Sequence, residues 1–525
     1  MSTYSHQFRK PLLSLLLASV AAVVVPAAAH ADSAPLTPEQ RQSLDKAVEL
    51  WGMGLLGGDR GAPYRVTADG DHYRLEAPLN RRIGHSGARL EGDTLSASAT
   101  ALDGGRWAFD NVQSPASIRF IPPPKPDGSP GDGISMAQQT TTRTSHIVID
   151  PSLATISSFD STAEGVVVGL ALPKVSLDIK ADRTTSHSAW QPATGGRVDV
   201  TTTSAADGVT YQMPGDKGFR VTARRLTSES HGAGFAPQRL ADAVRAGLQI
   251  LETVPAAYEA PATTKTPPAA DGSDASPAAP PAKTARQAMP KLDAEQRVLL
   301  HAMLDAVRDA YGSISQSIAV EGVDFAAQSH HVTLDKLAVT QSFAAPDAKA
   351  DIRMRIALDG IASPDIPPGV LRDLLPRHVV LAPHLAGLPV GDAFALLSKA
   401  IDTDEAKLQD LAPGGMTALS KSPLTNGLDE LSFDLGPANL MASGSVHTSG
   451  PQDVTGDADV KVTGLDALIK RAGDDPLLQQ GAPVLIFLKG IGRQDGDVVT
   501  WKVAFANQRL TVNGTDMSQM IPHGQ

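Results

Sequence analysis

Two short motifs near residue 50 have the residue types and spacing of known catalytic or cofactor sites. Ser43-Leu44-Asp45-Lys46 matches the Ser-x-x-Lys of penicillin-recognising acyl enzymes, where one helical turn separates a nucleophilic serine from its lysine base. Gly52–Gly57 (GMGLLG) matches the G-x-G-x-x-G of dinucleotide sites, whose glycine amides face a pyrophosphate. The Ser-Asp-Asn and Lys-Thr-Gly partners of the first motif are absent, and the second motif follows a predicted helix. We therefore interpret both as parts of an amphipathic helix and its glycine-rich end.

Other nucleophile and metal motifs are incomplete. The adjacent His330 and His331 would point to opposite faces of a strand, which makes them poor joint ligands, and His378 and His384 form the other close pair among 14 histidines. H-E-x-x-H is absent, and Gly84–Gly87 has its second glycine one residue too early for the serine elbow G-x-S-x-G. The lack of cysteine excludes thiol catalysis and iron–sulfur clusters. We predict no catalytic residue, metal or cofactor, with a hydrolase assembled from distant residues as the less favoured alternative.

The charge balance disfavours nucleic acid and nucleotide as partners. The chain has 46 Lys+Arg and 57 Asp+Glu, a net charge of −11, which becomes −13 if Arg9 and Lys10 are removed. Nucleic-acid binding rewards a basic surface instead. The acidic groups Asp402–Glu405 and Asp474-Asp475 lack the spacing of a calcium-binding EF-hand loop, so we interpret them as helix caps and solvated loops.

The first 31 residues have the three-part layout of a secretory signal peptide. Arg9-Lys10 precedes the almost charge-free segment Pro11–Ala29, and Ala29-His30-Ala31 offers a small-x-small cleavage site. We predict that this segment is removed and that the remaining chain is exported to the periplasm. An uncleaved inner-membrane anchor is the alternative, because the apolar run approaches the roughly 20 residues that span a bilayer.

A proline- and alanine-rich segment, Pro255–Pro290, divides the rest of the chain into the β-rich parts 32–254 and 291–525. Its few large apolar residues cannot offset the entropy of ordering, so we predict a disordered linker or insertion. Thr37–Gln40 is a capping box, and Asp293–Gln296 gives the second part a similar helix start. Both starts share the pattern Leu-x-x-Glu-Gln-Arg-x-x-Leu, which suggests two similar halves.

Most of the remaining chain alternates apolar and polar residues, as strands with one buried face do. The alternation is clearest in Val175–Ile179, Ile352–Leu358, Leu431–Leu435, Ala458–Val462 and Val499–Phe505. Hairpin pairs stand at Asp69-Gly70, Asp103-Gly104, Asp495-Gly496 and Asn513-Gly514, and helical spacing at Arg239–Leu251 and Ala393–Ile401. These patterns predict a β-dominated α+β fold, with long twisted antiparallel sheet and a few covering helices.

The C-terminal part carries a recognisable order of motifs. An alternating strand near Gly427–Leu431 precedes the helix start Val462–Ile469, the segment Leu488–Arg493, the strand Val499–Phe505 and the hairpin Leu510–Gly514. This order resembles the alphaproteobacterial family called domain of unknown function 2125, over about Ile366–Met517. The resemblance implies no activity and no catalytic residues. The chain is also similar to AsmA-like envelope proteins, whose long antiparallel sheets form an apolar groove for lipid.

These observations together favour a non-enzymatic protein of the cell envelope. We expect a curved sheet to present an apolar face to a lipid or another apolar envelope component. An envelope scaffold that positions partner proteins is the alternative. The expected lining is the apolar face of the C-terminal strands, namely Phe433, Leu435, Trp501, Val503 and Phe505.

Overall fold

The computed structural model describes most of the chain between residues 35 and 518. The described ranges are 35–51, 63–83, 88–122, 133–172, 175–215, 218–253, 292–310, 312–345, 349–403, 423–450, 453–476 and 478–518. The predicted signal peptide and the predicted linker Pro255–Pro290 lie outside these ranges.

The described residues form a β-dominated α+β structure. The helices are α1 Pro38–Trp51, α2 Pro237–Thr253, α3 Ala294–Ala310, α4 Val370–Asp373, α5 Val390–Asp402, α6 Leu465–Asp474 and α7 Ala482–Ile491. The strands of the N-terminal part are β1 Arg65–Asp69, β2 His72–Pro78, β3 Arg81–Ile83, β4 Ala88–Gly92, β5 Thr94–Ala101, β6 Trp107–Gln113, β7 Ser117–Ile121, β8 Ile134–Gln139, β9 Thr142–Asp150, β10 Thr155–Leu172, β11 Val175–Pro192, β12 Val198–Met213 and β13 Phe219–Phe235. The later strands are β14 Ser313–Ala327, β15 His330–Ala344, β16 Ala350–Asp359, β17 His378–Leu388, β18 Leu424–Asp434, β19 Asn439–Thr448, β20 Val454–Thr463, β21 Arg493–Asp495, β22 Val498–Ala506, β23 Arg509–Val512 and β24 Thr515–Asp516.

The predicted fold class is confirmed, and so are its local signals. Four of the five alternating segments lie wholly in strands, Leu431–Leu435 runs one residue past the end of β18, and the predicted helices lie in α2 and α5. Thr37 and Gln40 exchange two hydrogen bonds, of 3.0 and 3.2 Å, at the start of α1. Asp293 and Gln296 do the same at the start of α3, at 3.2 and 2.8 Å. Each exchange satisfies a backbone N–H that the helix itself leaves unpaired.

The strands form one long antiparallel sheet, which continues across the predicted linker. From β10 to β20 each strand pairs with the next, and β20 then pairs with β22. β13 pairs with β14 from Phe219 opposite Ala327 to Ala233 opposite Ser313, so both parts of the chain share one sheet. Two short branches, which begin with β9 and β8, meet the other edge of β10.

The sheet has two chemically different faces. Directly paired residues lie on the same face, so the register follows each face from strand to strand. It connects Ile356 through Leu381, Leu431, Ala442 and Val460 to Trp501. We call this side the helix face, because α6 and α7 pack on it. We call the other side the polar face; it carries Arg355, Ser432 and Lys461.

Helices cover the two ends of the helix face. At the N-terminal end, Leu44, Ala47 and Val48 of α1 are buried against Trp107 and Phe109. The Arg245 guanidinium of α2 lies 3.4 Å from the Glu49 carboxylate of α1, and α3 and α5 follow α2 side by side. At the C-terminal end, the α6–α7 pair packs on β19, β20 and β22, with Val462, Leu465, Val499 and Trp501 buried.

A line of left-handed glycines crosses the long strands. Gly165, Gly208 and Gly322 interrupt β10, β12 and β14 with φ of 57°, 61° and 60°. In register they stand beside Asp182 of β11 and Arg224 of β13, which occupy the same transverse line. Such a φ favours glycine, because a Cβ would crowd the backbone.

Candidate functional site

Four of the five predicted lining residues lie on the helix face. Phe433 pairs with Leu440, Trp501 with Val460, Val503 with Ala458 and Phe505 with Gly456. Trp501 is buried under α7, and its indole N–H donates to the Leu488 carbonyl at 2.9 Å. The other three are half-buried, and so is Leu435, which follows β18 and whose N–H donates to the Ala438 carbonyl at 2.9 Å.

An uncovered apolar stretch lies on the same face, over β14–β17. The exposed fractions are 38% for Ile314 and Ile352, 36% for Met354 and 39% for Leu381. Half-buried apolar residues stand directly beside them in the register: Ile318, Val339, Phe343, Ile356 and Leu385. We call these nine residues the apolar stretch. The sequence predicted the strand of Ile352–Leu358 but not this stretch, because the pairing that brings the four strands together is not local.

Helix α7 adds exposed apolar side chains beside the C-terminal strands. Val484, Ile486, Phe487 and Leu488 are exposed by 58%, 57%, 48% and 38%. Only the other side of this helix, with Leu485 and Ile491, packs into the core cluster of Trp501. The Lys489 ammonium lies 2.5 Å from the Asp466 carboxylate and joins α7 to α6.

The polar face of β10–β18 carries a shallow hollow. Three overlapping depressions, of about 540, 500 and 390 Å³, are lined by serine, threonine and charged residues together with alanines. Ile314, Ile318, Phe343 and Met354 of the same strands also contribute to the lining. Arg353 Nη1 lies 3.3 Å from Asp429 Oδ2, and His384 Nδ1 lies 2.8 Å from Asp429 Oδ1. Arg355 is paired with Glu430 at 3.3 Å.

A row of acid–histidine pairs continues the polar face toward the N-terminal branch. His146 Nδ1 lies 2.7 Å from Asp110 Oδ1, and His187 Nδ1 lies 2.6 Å from Asp160 Oδ1. The register places Asp160 directly opposite both His146 and His187. No local pattern in the sequence indicates this row, because the two members of each hydrogen-bonded pair are 27 or more residues apart.

The structure gives Ser43 of the Ser-x-x-Lys motif a packing role. Its hydroxyl donates to the Gly105 carbonyl at 2.7 Å and accepts the indole N–H of the buried Trp107 at 3.2 Å. The hydroxyl therefore fixes α1 to the turn between β5 and β6. The glycine motifs Gly52–Gly57 and Gly84–Gly87 lie outside the described residues.

The predicted histidine pairs serve separate contacts. His331 Nε2 lies 2.9 Å from Asp324, His378 Nδ1 lies 2.5 Å from Asp359, and His384 contacts Asp429. Across the described ranges, no group of three or more histidine or acidic side chains is placed to hold a metal ion.

One serine, one histidine and one aspartate meet between α3 and α5. Ser398 Oγ lies 3.1 Å from His301 Nδ1, and His301 Nε2 lies 2.9 Å from Asp402 Oδ1. Ser398 is in the middle of α5, where backbone N–H groups bond within the helix and none can stabilise an oxyanion beside the hydroxyl. The contact joins the two helices and does not supply the machinery of acyl transfer.

No helix within the described ranges combines the length and apolar character needed to cross a bilayer. Comparison with models of protein families, with curated proteins and with solved structures finds no match to this chain.

Proposed function

We propose that this protein binds a lipid, or another envelope molecule with a long apolar part, on the apolar stretch of β14–β17. One observation carries the proposal. The helix face is buried under α6 and α7 at its C-terminal end, yet Ile352, Met354 and Leu381 are each more than a third exposed on the same face. Exposed apolar surface marks binding sites in soluble proteins. Here the two apolar rows flank the Gln316–Gln341 pair, whose side chains are hydrogen-bonded at 2.7 Å on the same face.

The chemistry of the apolar stretch suits an acyl chain. Its members are aliphatic or aromatic side chains from four neighbouring strands, and the rows Ile314–Phe343–Ile352–Leu385 and Ile318–Val339–Ile356–Leu381 run across the strands. Covering apolar surface contributes roughly 25 cal/mol per Å². A hydrocarbon chain lying along these rows would gain this free energy without needing a polar partner.

The exposed side of α7 supports a lipid over a small polar ligand. Val484, Ile486 and Phe487 project from a helix whose buried side continues the same apolar face through Trp501. The row that ends at Leu381 continues toward α7 through Leu431 of β18, whereas Leu385 of the other row pairs with Asn426. We infer that the ligand lies on the helix face between α5 and the α6–α7 pair.

The first test is native mass spectrometry of the full-length protein purified from its own envelope, with organic extraction of bound species. We expect a stoichiometric lipid adduct. A fluorescent fatty acid then provides a binding measurement on the delipidated protein. Protein that carries no lipid and binds no fatty acid would show that the proposal is wrong.

A matched pair of variants locates the site. Leu381→Glu places a charge in the apolar stretch, whereas Met441→Glu places one at a similarly exposed position of the polar face, where Met441 pairs with Ser432 and Lys461. We expect Leu381→Glu to weaken fatty-acid binding at least about tenfold, because one buried charge exceeds the 1.4 kcal/mol of a tenfold change. Met441→Glu should bind as the unaltered protein does. Equal loss in both variants would contradict the assignment.

A further inference from the structure

The hollow on the polar face is elongated and open. Ser317 and Thr340 line both of its larger depressions, and Ser315 and Ser342 line both the second and the third. The lining residues come from β10 to β18. With neighbouring strands about 4.8 Å apart, the hollow crosses roughly 40 Å of sheet. Its shape fits a chain that lies across the strands better than a compact small molecule.

Most charged groups inside the hollow are paired with a neighbour. The Asp160 carboxylate is paired with His187 at 2.6 Å, and Glu229 is paired with His231 at 2.9 Å. At the other end, the two arginine–carboxylate pairs of β16 and β18 are each 3.3 Å long. Four of the carboxylates are held by an arginine or a histidine of the same hollow, and Asp199 accepts the Gly234 N–H at 2.8 Å. Because acidic and basic groups are interspersed, the surface offers no single-sign field to a charged polymer.

One border of the hollow carries acidic and basic residues in alternation from strand to strand. Directly paired residues there alternate in sign across seven strands, and the ladder runs Glu164, Arg183, Asp207, Arg225, Glu321, Lys336 and Asp359. We call this row the charge ladder. A polyanion or a polycation would meet attraction and repulsion in turn along it, about every 4.8 Å.

The floor of the hollow presents hydroxyl groups. The lining includes Thr162, Thr185, Thr203, Thr227, Ser315, Ser317, Thr340 and Ser342. Thr203 and Thr340 are exposed to solvent. A hydroxyl both donates and accepts hydrogen bonds, and the neighbouring carboxylates and guanidinium groups add fixed acceptors and donors. Such a mixture matches a ligand that is itself rich in hydroxyls and carries no net charge.

We propose that the hollow of β10–β18 binds a neutral polysaccharide strand that lies across the β-strands. The length of the hollow, its interspersed acidic and basic groups and its hydroxyl floor carry the inference. An extended peptide fits less well, because the backbone N–H and C=O groups under the hollow are already paired between neighbouring strands. This site lies on the opposite face from the apolar stretch and does not depend on the lipid proposal.

Affinity electrophoresis of the full-length protein tests the inference directly. Native gels contain no polymer, one of three neutral polysaccharides (dextran, a galactomannan or a soluble β-glucan), or dextran sulfate. We expect at least one neutral polysaccharide to retard the protein, with dextran sulfate less effective. Retardation by dextran sulfate alone, or by none of the four polymers, would overturn the proposal.

Thr202 and Thr203 are neighbours in β12 on opposite faces of the sheet, and they provide a matched control. Thr203→Val and Thr340→Val each remove one hydroxyl of the hollow and keep the size and strand preference of the side chain. We expect each to weaken polysaccharide binding about 2–10-fold, as loss of one hydrogen bond predicts. Thr202→Val removes a hydroxyl of the helix face, where Thr202 bonds to Ser188 at 2.8 Å, and should leave binding unchanged.

A bulky variant separates loss of binding from loss of folding. Ser317→Trp fills the junction of the two larger depressions. We expect it to abolish retardation in the gel that retards the unaltered protein, while the midpoint of its urea unfolding stays close to that of the unaltered protein. Retention of full polysaccharide binding by Ser317→Trp, or equal losses in Thr202→Val and Thr203→Val, would contradict the site.

Discussion

The Asp182 carboxylate of β11 occupies the space where a Cβ on Gly208 of β12 would stand. A Cβ built on Gly208 falls far inside contact distance of Asp182 Oδ2 and Cγ. Gly208 also has a φ of 61°, in the left-handed region that favours glycine. The two residues face each other in the register, between Arg183–Asp207 and Lys180–Thr210. Gly208 and Gly322 therefore leave room for the side chains of Asp182 and Arg224, which stand beside them in the register.

Gly208→Ala should lower the free energy of unfolding by more than Gly195→Ala. Both glycines have positive φ, at 61° and 73°, but nothing lies within 4 Å of a Cβ on Gly195. We expect the shared backbone strain to cost about 1–3 kcal/mol and the crowded site to cost more. Urea unfolding of both variants measures the difference. Adding Asp182→Ala to Gly208→Ala should recover part of the loss, and strictly additive effects would contradict the contact.

Ser43→Ala should destabilise the N-terminal core, because Ser43 has a packing role and is not a nucleophile. The substitution leaves the indole N–H of Trp107, which is 1% exposed, without its acceptor. We expect a loss of about 1–3 kcal/mol, the cost of an unsatisfied buried donor. Thermal unfolding measures it, with the exposed Lys46→Ala as the control expected to change little. Covalent labelling of Ser43 by a fluorescent penicillin would contradict the packing role.

Lys336→Glu should weaken the sheet by interrupting the charge ladder. Lys336 is directly opposite Glu321 and Asp359, so the variant places three carboxylates in a row. Like charges at paired positions should cost about 0.5–2 kcal/mol in total. Lys180→Glu is the control, because Lys180 pairs with Val167 and Thr210. The difference between the variants should shrink at high salt, and a salt-independent difference would argue against an electrostatic cause.

Arg143→Met should raise the free energy of unfolding at neutral pH. Arg143 is 6% exposed, and its Nε and Nη1 atoms have no hydrogen-bond partner. Burial lowers the pKa of Arg143 to about 10, because a buried charge loses its hydration. Replacing poorly compensated buried charge by an apolar side chain often gains about 1–4 kcal/mol.

The pH dependence of that gain provides a second check. The folded protein gives up the Arg143 proton at lower pH than the unfolded chain does, so the unfolded chain binds more protons above about pH 10. The contribution of this group to stability therefore rises with pH above that value. The advantage of Arg143→Met in urea unfolding should be largest at pH 7 and smaller at pH 10.5. A constant advantage would indicate that the gain comes from packing alone.

Local signals in the sequence were sufficient to locate several elements and some of their ends. The alternation in Val499–Phe505 predicts a strand because successive side chains point to opposite faces, whatever the partner strand. Thr37 and Gln40 predict the start of α1 because the capping bonds reach only three residues. Asn513-Gly514 predicts a turn because both residues tolerate positive φ, and the structure gives them 50° and 81°.

The candidate sites depended on contacts that no local signal contains. Nothing in the local sequence links Asp160 to His187, and only the strand register brings them 2.6 Å apart. The motif around Ser43 is that of a nucleophile, but in the structure its hydroxyl accepts the indole N–H of Trp107, 64 residues away in the sequence. Trp501 was predicted to line an apolar surface, and it lies on that face but beneath α7. Period-two alternation says that a strand has an apolar side and does not say what will cover it.

The sequence by itself determined an antiparallel, β-dominated chain with capped helices and glycine turns, because these features depend on neighbours within a few residues. The tertiary structure decided that β13 and β14 join both parts into one sheet, that Leu381 is left uncovered, and that the opposite face carries a polar hollow. The physical reason is that register and helix docking are selected by the free energy of many distant contacts formed together, and each of those contacts is invisible in a short window of sequence.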